Sequence, residues 1–134
     1  MAEKDARKLQ QKYLELQIID QSMKQIHKQL QMIEAQMAEI ALTKEAINDL
    51  STVQEGSEII SPISSGIFLK SSLLDSKKLL VNVGSGTVVE KTIPETIKII
   101  EDQEVEIRKT YDVLAQELQK LGTKAMQLEG SISE

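Results

Sequence analysis

The sequence predicts an α+β protein, mostly α, in which two long helices form an antiparallel coiled coil with two β-hairpins between them. Three observations support this fold class: apolar heptads at both ends of the chain, short β-rich runs between them, and very few aromatic residues. Hydrophobic residues make up 40% of the 134 positions, but aromatic residues only 2%, and Trp is absent. Because a globular core usually buries several large aromatic side chains, this composition suits a helical seam and small sheets better.

The first segment, residues 1–52, is predicted to be one coiled-coil helix. Its a positions hold Leu9, Leu16, Met23, Leu30, Met37 and Lys44, and its d positions hold Lys12, Ile19, Ile26, Ile33, Ile40 and Ile47. Only the two Lys residues interrupt a repeat that continues for six heptads, and a repeat of that length indicates a coiled coil. No Pro or Gly precedes Gly56.

The last segment, residues 93–134, is predicted to be the second coiled-coil helix. Thr92 and Glu95 have the spacing of a capping box, and Pro94 lies in the first turn, where it costs no intrahelical hydrogen bond. Apolar side chains then occupy nine of ten seam positions between Ile97 and Leu128, with Glu104 as the exception. We expect the helix to stop near Gly130, with a frayed end.

The middle segment, residues 53–92, is predicted to form two hairpins. Short β-rich runs turn near Ser64 and Ser65 and again at Gly84-Ser85-Gly86. Two helices that flank such a compact insert must run antiparallel. An isolated two-stranded hairpin is marginally stable, and its edges present unpaired backbone groups, so the strands are expected to bring subunits together.

Charge and composition exclude several kinds of partner. The formal net charge is −5, with 16 basic and 21 acidic residues, so the basic surface that a nonspecific nucleic-acid binder needs is missing. The chain has no Cys, which excludes a disulfide framework and a thiolate nucleophile. The charged N-terminus and the short apolar runs predict a cytoplasmic protein with no signal peptide and no membrane partner.

No residue pattern in the chain predicts catalysis, a cofactor or a metal. His27 stands alone beside the seam of a helix, without the constellation that a general base or a metal site requires. Gly84-Ser85-Gly86 precedes a β-rich run and lacks the residues of a phosphate-binding loop. The acidic cluster between Glu101 and Glu106 spans several faces of a helix. We expect no enzymatic activity.

The helix ends farthest from the hairpins are a candidate binding surface. The first helical segment is about ten residues longer than the second, so residues before Tyr13 lack a full partner. Apolar side chains left uncovered there would bind other apolar surfaces without directional requirements, and Met adapts to many shapes. Simple fraying of helix ends is an equally good explanation on physical grounds alone.

The hairpin segment resembles the prefoldin alpha family. The resemblance lies mainly in the run from Leu79 to Thr92, which consists of a hydrophobic strand, a Gly-x-Gly turn and a Val-Glu-Lys ending before a capped helix. The run from Ser61 to Phe68 is similar to the family's first hairpin. The resemblance implies a hexamer of two alpha and four beta-type subunits, whose strands form an oligomeric β-barrel. It also implies a holdase that grips unfolded protein at the coiled-coil tips and passes it to a group II chaperonin without ATP. The compact length is more similar to archaeal members.

The resemblance also assigns residues to both surfaces. The implied client-binding tips comprise Leu9, Tyr13, Leu16, Ile18, Leu121, Met126 and Leu128. The implied subunit-assembly surface comprises Ile59, Ile60, Ile67, Leu69, Leu79, Val81, Val83, Val88 and Val89. Lys12 places a charged side chain in the seam near this otherwise apolar tip. The alternative function is a scaffold or tether that assembles through its hairpins and needs no adhesive tip.

Overall fold

A computed structural model describes residues 2–133 of the chain and confirms the predicted fold class. Two long helices flank two antiparallel pairs of strands. The elements are α1 (Ala2–Leu50), β1 (Glu58–Ser64), β2 (Ile67–Ser72), β3 (Lys78–Gly84), β4 (Thr87–Thr92) and α2 (Ile93–Ser133). The expectation of a helix stop near Gly130 is wrong, because α2 continues through Gly130 to Ser133.

The chain divides into two compact units. The helical unit contains α1 as far as Met37 and α2 from Val105 onward. The hairpin unit contains Ala38–Glu104 and therefore both strand pairs.

In the helical unit, α1 and α2 run antiparallel. Lys124 lies 3.5 Å from Glu15, and the Tyr111 hydroxyl donates a hydrogen bond of 3.1 Å to the Glu34 carboxylate, so rising numbers on α1 meet falling numbers on α2. The carboxylate beside it raises the pKa of Tyr111. The buried core of this unit consists of Ile19, Ile26 and Leu30, all at a or d positions. Burial therefore follows the heptads, as ridge-to-groove packing requires.

In the hairpin unit, the two hairpins have the same pattern of strand pairing. Glu58 pairs with Ser72 in the first hairpin, and Lys78 pairs with Thr92 in the second, twenty positions later in both strands. The register shifts at corresponding places, between Pro62 and Ser64 and between Asn82 and Gly84. The chain thus contains a tandem structural repeat that the sequence reading did not identify, since few side chains are identical between its halves.

The turns of the two hairpins lie where turn-forming residues predicted them. Ser85 and Gly86 both have positive φ, 51° and 75°. Two successive positive φ values are the geometry of a type I′ turn, which matches the twist of paired strands. Gly66 takes the corresponding position of the first hairpin with φ 80°.

The joints on either side of the second hairpin are fixed by local hydrogen bonds. The Asp75 carboxylate accepts the N–H groups of Lys77 at 2.8 Å and Lys78 at 3.1 Å, and these bonds lower its pKa. At the start of α2, the Thr92 hydroxyl accepts the Glu95 N–H at 3.2 Å and donates to the Glu95 carboxylate at 2.9 Å. The capping residues predicted from the sequence therefore do cap the helix.

Candidate protein-binding surfaces

The first candidate surface lies where α1 begins and α2 ends, in the helical unit. Of the seven residues predicted for the client-binding tips, Leu9, Tyr13, Ile18 and Met126 are exposed. Leu16, Leu121 and Leu128 are half-buried, because they occupy a or d positions and face the opposite helix. We call the exposed four, together with Leu14, the tip surface.

Leu14 is the tip residue that sequence reasoning missed. It is 58% exposed and lies one turn before Ile18, which is 57% exposed. Residues four apart share one face of a helix, so the two side chains form an apolar pair on the outside of α1. The i, i+4 spacing of two apolar residues away from the seam was the available signal.

The first three turns of α1 are more polar than the expected adhesive end. All residues from Ala2 to Gln11 are exposed. Five of them are charged, and Leu9 is the one large apolar side chain among them. The apolar surface therefore begins at Leu9 and extends toward Ile18.

Polar contacts hold the two helices together beside the tip surface. The Lys12 ammonium donates a hydrogen bond to the Ser131 hydroxyl, so this seam Lys bridges the helices. A shallow groove runs between the helices here, and its lining residues are Tyr13, Leu16, Gln17, Asp20, Met23, Ala125 and Glu129. Gly122 faces the same seam, where an added Cβ would lie 3.8 Å from the end of Met23.

The second candidate surface is the outer face of the hairpins. Because side chains alternate across a strand, each hairpin has one half-buried and one exposed face. Of the predicted assembly surface, Ile59, Leu79, Val81 and Val89 are half-buried, whereas Ile60 and Val88 are exposed on the opposite face of their hairpins. Ile67, Leu69 and Val83 are exposed as well, although Leu69 pairs with Ser61 and so shares the face of Ile59. The prediction mixed both faces of each hairpin, since β-rich runs alone do not tell which face the rest of the unit covers.

Two large residues of the outer face were not predicted. Phe68 is 62% exposed and lies opposite Pro62, beside Ile60 on the same face. Leu80 is 73% exposed and shares its face with Val88. We call Ile60, Phe68, Leu80 and Val88 the outer hairpin patch. Among residues 2–133, each two-stranded sheet also leaves both of its edges unpaired, and such edges are templates for further strands.

The described residues hold no cluster that suggests other chemistry. Across residues 2–133, no three His, Cys, Asp or Glu side chains converge as a metal site would require. His27 is exposed on α1. Within the same residues, neither helix has a stretch apolar and long enough to cross a bilayer.

Comparison with known proteins decides the family. The family profile described as "Prefoldin subunit" matches residues 19–134. The chain belongs to the prefoldin family. It is 31% identical over 116 residues to prefoldin subunit alpha of Pyrococcus horikoshii, an alignment that covers 83% of this chain and 78% of that protein. The resemblance of its hairpins to prefoldin alpha subunits is thereby confirmed, and the chain is a chaperone subunit of a non-enzymatic family.

Solved prefoldin structures have the same fold. The filamentous PFD of Methanocaldococcus jannaschii superimposes with a TM-score of 0.80 at 20% identity, covering 89% of this chain and 98% of that one. The prefoldin beta subunit of Thermococcus strain KS-1 superimposes with a TM-score of 0.59 at 13% identity, covering 93% and 89%. At these identities the likeness concerns the fold.

Proposed function

We propose that this prefoldin subunit holds unfolded polypeptides on its tip surface and passes them to a group II chaperonin without ATP. One observation carries the proposal. Four of the five tip residues, Tyr13, Leu14, Ile18 and Met126, are more than half exposed although they are large and apolar. An unfolded chain displays apolar side chains in no fixed order, and burial of apolar surface needs no fixed geometry.

The chemistry of the tip surface suits a changing set of clients. Tyr13 provides a ring with a polar end, and Met126 provides an unbranched thioether that fits irregular surfaces. Each side chain contributes about 25 cal/mol of binding free energy per Å² of apolar area that a client covers. Several weak contacts of this kind hold a client and still release it, so no nucleotide-driven step is required.

Assembly is proposed to occur through the hairpins. The outer hairpin patch and the open strand edges give this chain the surface that a subunit interface needs. A prefoldin beta subunit shares its fold, which supports beta-type subunits as the partners. We propose a hexamer of two alpha and four beta-type subunits, whose strands close into a β-barrel. We also propose that this hexamer acts in the cytoplasm and has no enzymatic activity.

Point substitutions on exposed positions test client holding. The variant Tyr13→Ser/Ile18→Ser/Met126→Ser, assembled with a beta-type subunit, is mixed with a chemically denatured enzyme on dilution, and aggregation is followed by light scattering. We expect most of the protection to be lost. The matched control, Met32→Ser/Leu42→Ser, changes side chains that are 65% and 66% exposed elsewhere on α1 and should protect like the wild type.

The same experiment separates the holdase from the scaffold alternative. A scaffold or tether needs its hairpins but no adhesive tip. If the triple variant assembles normally and protects the client as well as the wild type does, client holding at the tip surface is wrong and the scaffold remains.

A further inference from the structure

The methionines of this chain fall into two classes by exposure. Four of the five lie within residues 2–133. Met23 and Met37 occupy a positions of α1 and are half-buried in the seam. Met126 of the tip surface is 73% exposed, and Met32 is 65% exposed. An oxidant in solution therefore reaches the sulfur atoms of Met126 and Met32 more readily than those of the other two.

Met126 is the most exposed residue of the tip surface, and its surroundings keep its thioether open. Gly122 and Gly130 lie four residues before and after it in α2, so the neighbouring positions on its side of the helix carry no side chain. A long side chain in a helix leans over the turn that precedes it, and there Gly122 leaves the thioether uncovered. At Gly130, an added Cβ would meet no side chain of residues 2–133 within 4 Å beyond its chain neighbours.

Oxidation of this thioether would change the chemistry of the tip surface. The sulfur attacks one oxygen of hydrogen peroxide, the O–O bond breaks, and the products are a sulfoxide and water. The sulfur loses two electrons and the peroxide gains them. A flexible apolar side chain thereby becomes a polar one, and it no longer contributes apolar burial when an unfolded polypeptide covers it.

We propose that Met126 is a reversible oxidation site, at which hydrogen peroxide forms the sulfoxide and weakens the hold on clients. The inference rests on the proposed function and adds its regulation by redox conditions. A methionine sulfoxide reductase restores the thioether with a dithiol as reductant, which becomes a disulfide while the oxygen leaves as water. The chain has no Cys, so no thiol of its own competes for the peroxide.

Limited oxidation acts on client holding before it acts on the contact between the helices. Met126 is outside the seam, and the buried core of the helical unit consists of aliphatic side chains that peroxide does not attack. Met23, in contrast, lines the groove and lies 3.8 Å from an added Cβ at Gly122. A sulfoxide at Met23 would place a polar group between α1 and α2, and its partial burial delays that reaction.

The first measurement tests the order of oxidation. The whole chain is treated with hydrogen peroxide, and peptide mass spectrometry follows the sulfoxide at each methionine. Met126 and Met32 should oxidise on the order of tenfold faster than Met23 and Met37. Circular dichroism should show unchanged helix content while Met126 is converted. Equal rates at Met126 and Met23 would overturn the inference.

The second measurement tests the effect on client holding. The oxidised chain is freed of peroxide and assembled with an untreated beta-type subunit, and aggregation of a denatured enzyme on dilution is followed by light scattering. Several-fold more of the assembly should be needed for the same protection, and treatment with methionine sulfoxide reductase and a dithiol should restore the original value. Met126→Leu keeps an apolar side chain and should be insensitive to peroxide. Met32→Leu, at a similarly exposed position of the shaft, should remain sensitive.

The outcomes distinguish this inference from the proposed function. If peroxide weakens holding by Met126→Leu as much as by the wild type, another methionine is responsible and the inference is wrong. If oxidised Met126 leaves protection unchanged while Tyr13→Ser/Ile18→Ser/Met126→Ser abolishes it, the tip surface holds clients and only its redox control is wrong. If neither change affects protection, the proposed function fails and the inference fails with it.

Discussion

The Lys44 ammonium lies 3.7 Å from the Glu104 carboxylate, so two polar interruptions of the heptads face each other. Lys44 also lies 3.9 Å from Glu101. Both partners of the closer pair are mostly covered, with 27% and 28% of their side chains exposed. Two helices with purely apolar seams can shift against each other by one heptad at little cost. The same shift would separate a covered charge from its partner. The pair therefore fixes the register between α1 and α2 in the hairpin unit.

Removing one partner of this pair should destabilise the fold. Lys44→Met leaves Glu104 covered without its cation, and we expect a loss of roughly 1 kcal/mol in the free energy of unfolding. Lys44→Leu/Glu104→Leu should be as stable as the wild type or more so, because apolar residues pack in the seam. Thermal unfolding followed by circular dichroism measures both, and Lys24→Met, at an exposed ion pair, is the control. A fully stable Lys44→Met would contradict the role of the pair.

The capping box at Thr92 should contribute to the pH dependence of stability. The hydrogen bond from the Thr92 hydroxyl lowers the pKa of Glu95 below its ordinary value of 4.5. The stabilisation is therefore present above that ordinary value and is lost as the pH falls through the lowered pKa. Glu95→Gln and Thr92→Val should reduce the loss of Tm on acidification, whereas Thr92→Ser should keep it.

Thr92→Val should also cost about 1 kcal/mol at neutral pH, because the Glu95 N–H loses its acceptor. The Tm measured across the acidic range gives both effects in one series. If Glu95→Gln has the acid sensitivity of the wild type, the carboxylate does not contribute as proposed.

Gly122 should limit the stability of the helical unit. It lies inside α2, and an added Cβ would meet only Met23, at an ordinary contact distance of 3.8 Å. Gly122→Ala should therefore raise the stability by about 1 kcal/mol through helix propensity. Gly130→Ala, in the last turns of α2 where helices fray, should have a smaller effect in the same circular dichroism measurement. If Gly122→Ala destabilises the protein instead, the contact between α1 and α2 at this position requires glycine.

Leu14 should contribute to client binding as much as Ile18 does. Both side chains are on the outside of α1 with nearly equal exposure, so Leu14→Ser should change helix stability little. We expect the affinity of assembled prefoldin for a fluorescent unfolded polypeptide to fall several-fold, by anisotropy. Val113→Ser, at an exposed position of α2, is the control. If the Leu14 variant binds the polypeptide with unchanged affinity, the client contacts only the side of the helices that carries the groove.

The two faces of the second hairpin should respond differently to charge. Leu80→Lys, on the exposed face, should leave the subunit folded and prevent assembly with a beta-type subunit. Val81→Lys, on the half-buried face, should also destabilise the hairpin unit itself, because a buried charge lacks a partner. Light scattering reports assembly and circular dichroism reports folding. Equal behaviour of the two variants would mean that both faces are covered in the assembly.

Local patterns in the sequence specify the helices, the strands and their order along the chain. Heptads from Leu9 to Ile47, the capping box at Thr92 and the turn at Gly84-Ser85-Gly86 are local patterns. Each acts within a few residues or repeats along one helix, so the chain alone specifies them. The family resemblance was also local, since it lay in the strand and turn residues of the hairpins.

Which side chains face each other, and which remain exposed, depends on contacts between distant parts of the chain. Lys44 and Glu104 were separate defects in two heptad patterns until the antiparallel register brought them together. Leu16 and Leu128 were expected at an open tip, yet the opposite helix covers them partly, while Leu14 and Phe68 proved exposed. Exposure depends on what another element covers, and residues distant in sequence determine that, so neither composition nor periodicity fixes it.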